Sequence, residues 1–173
     1  MIVAFTGHRP PKLIGGYDTI IREGNVSRPN VAYRWVFEQI TNALQELQPE
    51  KAISGMALGV DQWAAEICIE RGIPFIAAVP FEGHEKKWPQ QSQDHYNYLL
   101  SQAAEVEIVC HGEYKRGMYQ VRDEWMVDHC DALIAVWDGT KSGTKNTIEY
   151  AKEVECKIHM IDATQRPTEG ARV

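Results

Sequence analysis

Short apolar runs alternate with amphipathic stretches along almost the whole chain, and this alternation constrains the fold more than any other feature. Residues Ile2–Phe5, Lys51–Ser54, Pro74–Val79, Val106–Cys110, Ala132–Trp137 and Lys157–Ile161 read as strands. Between them, apolar residues recur at helical spacing. In Asn30–Gln48 they are Val36, Ile40, Ala43, Leu44 and Leu47, before the stop at Pro49. Val60–Arg71 carries Ala64, Ile67 and Cys68 inward and is closed by Gly72 and Pro74. Further helices are predicted at Gln91–Ala104, at Gly117–Cys130 with the stripe Val121, Trp125 and Met126, and at Thr144–Glu155. Residues 10–29, rich in Pro, Gly and polar groups, read as one long loop. The expected fold is α/β: a Rossmann-like, doubly wound parallel sheet in a single domain over residues 1–165, with a flexible tail at 166–173. Trp35, Trp63 and Trp88 are candidates for exposed contact residues.

The 173 residues suffice for a core without disulfides or metal. Eighteen Lys and Arg against 24 Asp and Glu leave a net charge of −6, which argues against a chain that coats nucleic-acid backbone. Ile2–Phe5 is too short for a signal peptide, and no apolar run approaches a membrane span, so no membrane partner and a cytoplasmic location are expected. The four cysteines form no C-x-x-C pair, Cys68 and Cys156 read as reduced packing residues, and Cys110-His111 lacks the convergent ligands of a zinc site. No metal and no resident cofactor are expected.

In a sheet of this kind the ligand crevice lies outside the carboxyl ends of the strands. The loop after the first strand holds Gly7, His8 and the fork-shaped donor Arg9. The loop after the second reads Ser54-Gly55-Met56-Ala57-Leu58-Gly59-Val60-Asp61: two glycines four apart open a helix, so N–H groups and the helix dipole face an anion. Gly55, Met56, Ala57, Gly59 and Asp61 are its candidate ligand contacts, and Asp61 equally suits a helix cap. There is no G-K-[ST], which excludes a P-loop. Asp138, Ser142, Gly143 and Thr144, at the start of another helix, form a second anion cradle, and Glu149 lies in the second turn of that helix. After the third strand, Phe81 suits covering a base or filling the core, and Glu82 and His84 are possible acid–base side chains. Arg122 and Asp123 sit beside an apolar stripe.

These motifs resemble the SLOG superfamily, which joins DNA-processing protein A to the Lonely Guy phosphoribohydrolases. Residues 54–61 with Ala64 and Ala65 resemble its nucleotide cradle, and Thr6-Gly7-His8-Arg9-Pro10 resembles the YpsA-like branch. Val121-Arg122-Asp123-Glu124-Trp125-Met126 resembles the Arg-bearing helix. Ser142-Gly143-Thr144 with Glu149 resembles the Gly-Gly-x-Gly-Thr-x-x-Glu segment, with Ser142 replacing a glycine and Glu149 five residues past Thr144. The resemblance implies binding of a nucleotide-like small molecule, with Arg9 and Arg122 neutralising its phosphate. Two alternatives come with it: N-glycosidic cleavage with Glu149 as the catalytic carboxylate, and binding of single-stranded nucleic acid. Since the phosphoribohydrolases are dimeric, it also implies a homodimer.

Overall fold

The computed structural model describes residues 1–170. Six strands form one parallel sheet: β1 (Ile2–Gly7), β4 (Lys51–Ser54), β5 (Phe75–Phe81), β6 (Glu105–Cys110), β7 (Ala132–Trp137) and β8 (Lys157–Asp162), in the order β6-β5-β4-β1-β7-β8. Every pairing in this sheet is parallel. The central strands are buried on both faces, as near-continuous apolar runs require. Helices cover the two sides. α2 (Val31–Leu47), α3 (Val60–Arg71) and α4 (Gln90–Gln102) pack on one face, where Phe5, Val36, Ile40, Ile67, Phe75 and Leu99 form the larger core. α5 (Met118–Asp128) and α6 (Gly143–Glu153) cover the other, around Ile53, Met126, Leu133 and Ala151. This is the doubly wound, Rossmann-like single domain expected from the alternation.

The strand order reverses at β1. The chain runs outward through β4, β5 and β6 on one side, then returns to place β7 on the other. That reversal makes the carboxyl end of β1 the topological switch point where ligands bind in such sheets.

Four features differ from the sequence reading. Residues 10–29 are not one loop. Pro10 and Pro11 open a short helix, α1 (Pro10–Ile14), where their fixed φ and missing N–H suit the first turn. β2 (Ile20–Glu23) and β3 (Val26–Pro29) then form a separate antiparallel hairpin across the two-residue turn Gly24-Asn25, with Gly24 at φ 61°. In α5 the buried stripe is Met118, Arg122, Met126 and Val127, while Val121 is 49% exposed. Trp63 is buried against Tyr33, and Trp35 and Trp88 pack on the core, so the tryptophans make no exposed patch. Part of the expected tail is tied down: the Arg166 guanidinium donates to Leu13 O, Lys12 O and Ala163 O, and Glu169 pairs with Arg28 at 2.8 Å. Residues 171–173 lie outside the described residues. No helix among the described residues is long and apolar enough to cross a membrane.

Candidate functional site

The loops after β1, β4 and β7 meet at the switch point, and glycines set how closely they do so. A Cβ on Gly7 would fall 2.5 Å from the Val60 side chain, and one on Gly59 would fall 2.6 Å from the His8 carbonyl. Gly59 also adopts φ 100°, ψ −132°, a conformation that side chains rarely reach. Gly55 is wedged between two charged groups: a Cβ there would lie 2.7 Å from Asp61 Oδ2 and 2.8 Å from the Arg122 guanidinium carbon. Sequence reasoning assigned Gly7, Gly55 and Gly59 to ligand contact; in the fold, these three let protein approach protein. Gly143 differs, with nothing within 4 Å of where its Cβ would stand.

The first cradle is partly filled by the chain itself. The Met56 N–H donates to Ser54 Oγ at 3.2 Å, and the Ala57 N–H donates to Asp61 Oδ2 at 3.3 Å. Met56 turns its side chain fully into the core and holds φ 62°, a left-handed conformation that costs a non-glycine residue about 1 kcal/mol or more. Only its backbone therefore belongs to the cradle. The Gln62 side chain donates to Met56 O at 3.1 Å and fixes the turn. The Asp61 carboxyl group thus occupies, against the loop, the place an external anion would take. Burial first, and Asp123 after it, raise its pKa to about 7 against the opposing pull of Arg122, the Ala57 N–H and Arg9.

Arg122 is buried beneath this loop. Its guanidinium donates to Gly55 O and, at 3.4 Å, to Ala78 O, while Nε pairs with Asp123 Oδ1 at 2.6 Å. Burial opposes its charge, but Asp123 and Asp61 outweigh burial and hold it cationic. Expected as a direct phosphate contact, Arg122 turns Nε and Nη1 to partners inside the protein. The network continues: Thr147 Oγ1 lies 3.2 Å from Asp123 Oδ2 and 3.0 Å from Gly143 O. Arg122 and Asp123 thereby connect the first cradle to the second from the α5 side of the sheet.

At the second cradle Ser142 caps α6, accepting from the Lys145 N–H at 3.2 Å. Thr144 is buried and Gly143 is exposed. Across the switch point, His8 Nε2 lies 2.9 Å from Asp138 Oδ1, and Lys12 reaches Thr140 Oγ1. Burial lowers the His8 pKa despite Asp138. Burial works against the Asp138 charge too, but hydrogen bonds from the Thr140 hydroxyl and N–H carry its pKa down to about 2. Arg9 is exposed, its guanidinium makes no hydrogen bond or ion pair among the described residues, and its charge is felt at both Asp61 and His84. Glu149 is not brought into this cluster. It lies on the solvent side of α6, 54% exposed, and pairs with Lys145 at 3.4 Å.

A groove of about 540 Å³ adjoins the first cradle at Leu58 and Gly59 and runs between the hairpin, α3 and α4, with the Glu66–His95 pair (2.6 Å) in its wall. Sequence reasoning missed it because the hairpin that forms one side was read as loop. No group of three or more His, Cys, Asp or Glu suited to a metal ion exists among the described residues.

The raised pKa of Asp61 has a measurable consequence. The folded chain holds this proton more tightly than the unfolded one, so the associated stability is complete below about pH 4 and is lost as pH rises through about 7. Asp61→Asn removes this dependence while keeping an acceptor for Ala57. The variant is expected to match the wild type near pH 4.5 and to exceed it at pH 8, by at most ~4 kcal/mol at 1.36 kcal/mol per pKa unit. Urea unfolding at the two pH values measures this; a difference independent of pH contradicts it.

Comparison with known proteins places these features in a family context. The model of the YspA SLOG family matches residues 3–165. The "Uncharacterized SPbeta prophage-derived protein YoqJ" of Bacillus subtilis (strain 168) is 36% identical over 117 residues, 58% of this chain and 68% of that protein. A UPF0398 protein of Bacillus cereus (strain B4264) is 32% identical, with 58% of each chain covered. Among solved structures, DNA processing protein A from Streptococcus pneumoniae superposes with TM-score 0.61 at 18% identity, over 91% of this chain and 49% of that one. The Helicobacter pylori protein, described for its single-stranded DNA binding mode, gives TM-score 0.63 at 16% identity, over 99% and 76%. At these identities the structures establish a shared fold.

Proposed function

Because this chain belongs to the YspA SLOG family, we propose that it binds the phosphate of a nucleotide or nucleotide-derived small molecule at the switch point, between Gly55–Gly59 and Ser142–Thr144. The observation that carries this reading is the placement of two helix N-termini. α3 follows β4 and α6 follows β7, and these strands flank β1 on either side. The ends of β4 and β7 stand about 10 Å apart at the usual strand spacing, and the dipoles of the helices that follow them both favour negative charge over the switch point. Arg9, exposed and unpaired among the described residues, supplies the mobile cation, and the exposed backbone at Gly143 leaves room for close approach. Arg122 acts by holding the first cradle in shape.

The reading concerns binding. Glu149, the carboxylate the phosphoribohydrolase alternative requires, is exposed and paired with Lys145, so no observation favours that chemistry here. Single-strand binding rests on the fold shared with DNA processing protein A.

A thermal-shift series over nucleoside mono- and diphosphates and ADP-ribose tests the proposal. A ligand in hundredfold excess over its Kd stabilises by about 2.7 kcal/mol, which moves the Tm by several degrees. Arg9→Ala is expected to leave the unliganded Tm unchanged and to weaken the responding nucleotide roughly tenfold, the strength of one charge-assisted contact. No Tm response to any phosphorylated nucleotide refutes the proposal.

A further inference from the structure

We propose that the aromatic cluster around His84 is the base-binding end of the site, stacking the base of the nucleotide whose phosphate the cradles hold; this rests on the reading above. His84 follows β5 and is 5% exposed, yet neither ring nitrogen has a hydrogen-bond partner. Phe81, Trp88, Tyr96 and Tyr119 surround it edge-on, with centroids 4.9–5.8 Å from its own. Burial, with the charges of Arg122 and Arg9 added, lowers its pKa to about 3, so the ring is neutral and offers one donor and one acceptor. An unsatisfied buried donor is costly and calls for an explanation.

The cluster continues outward to solvent. Phe81 packs 5.2 Å from Tyr114 and 5.6 Å from Tyr119, and Tyr114 is 54% exposed. Tyr114 stands on the loop after β6 next to exposed Lys115 and Arg116, at the same end of the sheet as the cradles. β5 and β6 are the next strands beyond β4, so at the usual spacing their ends stand about 5 and 10 Å from the end of β4, on the side of the first cradle away from β1. A base stacked on Tyr114 and Tyr119 buries a flat face, and its polar edge gains the hydrogen bonds that His84 lacks once the outer rings shift aside on binding, since both His84 nitrogens are enclosed in the free protein.

Calorimetric titration with AMP and with ribose 5-phosphate tests this. AMP is expected to bind about tenfold more tightly, the lower range of one base stack. That advantage is expected to vanish in Tyr114→Ala and to shrink in His84→Phe, which keeps the cage and folds at least as stably, while ribose 5-phosphate binds all three proteins alike. Equal affinities in the wild type, or an advantage that survives both substitutions, overturn the base site and leave the phosphate site standing. If neither ligand binds, both readings fall. A dT oligomer that binds more tightly than AMP and is lost in Tyr114→Ala overturns the mononucleotide assignment in favour of a strand.

A separate contact carries a second inference. The Sγ atoms of Cys130, after α5, and Cys156, before β8, lie 3.8 Å apart, although 26 residues separate them in sequence. We infer that this pair is a site of oxidation to a disulfide by peroxide. Burial, with Cys156 beside it, pushes the Cys130 thiol up, so the more exposed Cys156 thiol is the one that reduces hydrogen peroxide to water and becomes a sulfenic acid. The second thiol then displaces water from it as the S–O bond breaks and the S–S bond forms. Intact-mass measurement after peroxide is expected to show loss of two hydrogens in the wild type and in Cys68→Ser, but not in Cys130→Ser. No loss in the wild type, or loss persisting in Cys130→Ser, overturns it.

Discussion

Arg122→Ala is expected to destabilise the protein by about 3–5 kcal/mol, the cost of leaving buried charges uncompensated. The guanidinium satisfies the Gly55 and Ala78 carbonyls and pairs with Asp123. Its removal orphans both carbonyls, leaves Asp123 and Asp61 with no buried cation, and opens a cavity behind the first cradle. At 2–4 °C per kcal/mol for a domain of this size, the Tm falls by roughly 10 °C. Arg122→Lys keeps the charge but loses the planar fork, and is expected to recover only part of that fall. Thermal unfolding followed by circular dichroism decides it: a Tm for Arg122→Ala within about 2 °C of the wild type would show that the network does not hold the loops.

Gly59→Ala is expected to cost about 2–4 kcal/mol, as a strained backbone and a collision add together. At φ 100° and ψ −132° alanine is strained on its own account, and its Cβ would meet the His8 carbonyl at 2.6 Å and Pro10 Cδ at 3.0 Å. The β1 loop and the start of α3 then separate, so nucleotide binding falls with stability. Gly143→Ala is the contrasting case. Its Cβ enters open space, so stability is expected to stay within about 0.5 kcal/mol while nucleotide affinity drops, because the methyl group stands where phosphate approaches. Urea unfolding and calorimetry on the two variants separate a glycine that closes the fold from one that faces the ligand; equal loss of stability in both would contradict the distinction.

Much of this was legible in the sequence. The parallel sheet followed from strand runs such as Ala132–Trp137, apolar at every position because both faces are covered. The glycines that open α3 and α6 at the carboxyl edge of the sheet were legible as well. The hairpin after α1 was missed although Gly24-Asn25 between Ile20–Glu23 and Val26–Pro29 is a two-residue turn signal; the exposed strands lack the alternation that marks a half-buried sheet. Arg122 was misplaced for a different reason. The stripe Met118–Arg122–Met126 has perfect i, i+4 spacing, but a charged residue at its centre reads as surface unless its partners are known. Those partners, Gly55 and Asp123, include one 67 residues away. His84 was hidden similarly: Phe81 and Trp88 are near it in sequence, but nothing local shows that Tyr96 of α4 and Tyr119 of α5 complete the enclosure. Glu149 was chosen by resemblance although it lies further past Thr144 than the family segment has it, and only helix phase shows it facing solvent.

The central claim is that phosphate is what this site recognises. Calorimetric titration of the wild type with AMP and with adenosine at pH 6.5, repeated with Arg9→Ala, tests it most directly. The account expects AMP to bind at least about tenfold more tightly than adenosine, and expects most of that difference to vanish with Arg9. Adenosine binding as tightly as AMP, or an AMP preference unmoved by Arg9→Ala, would contradict it.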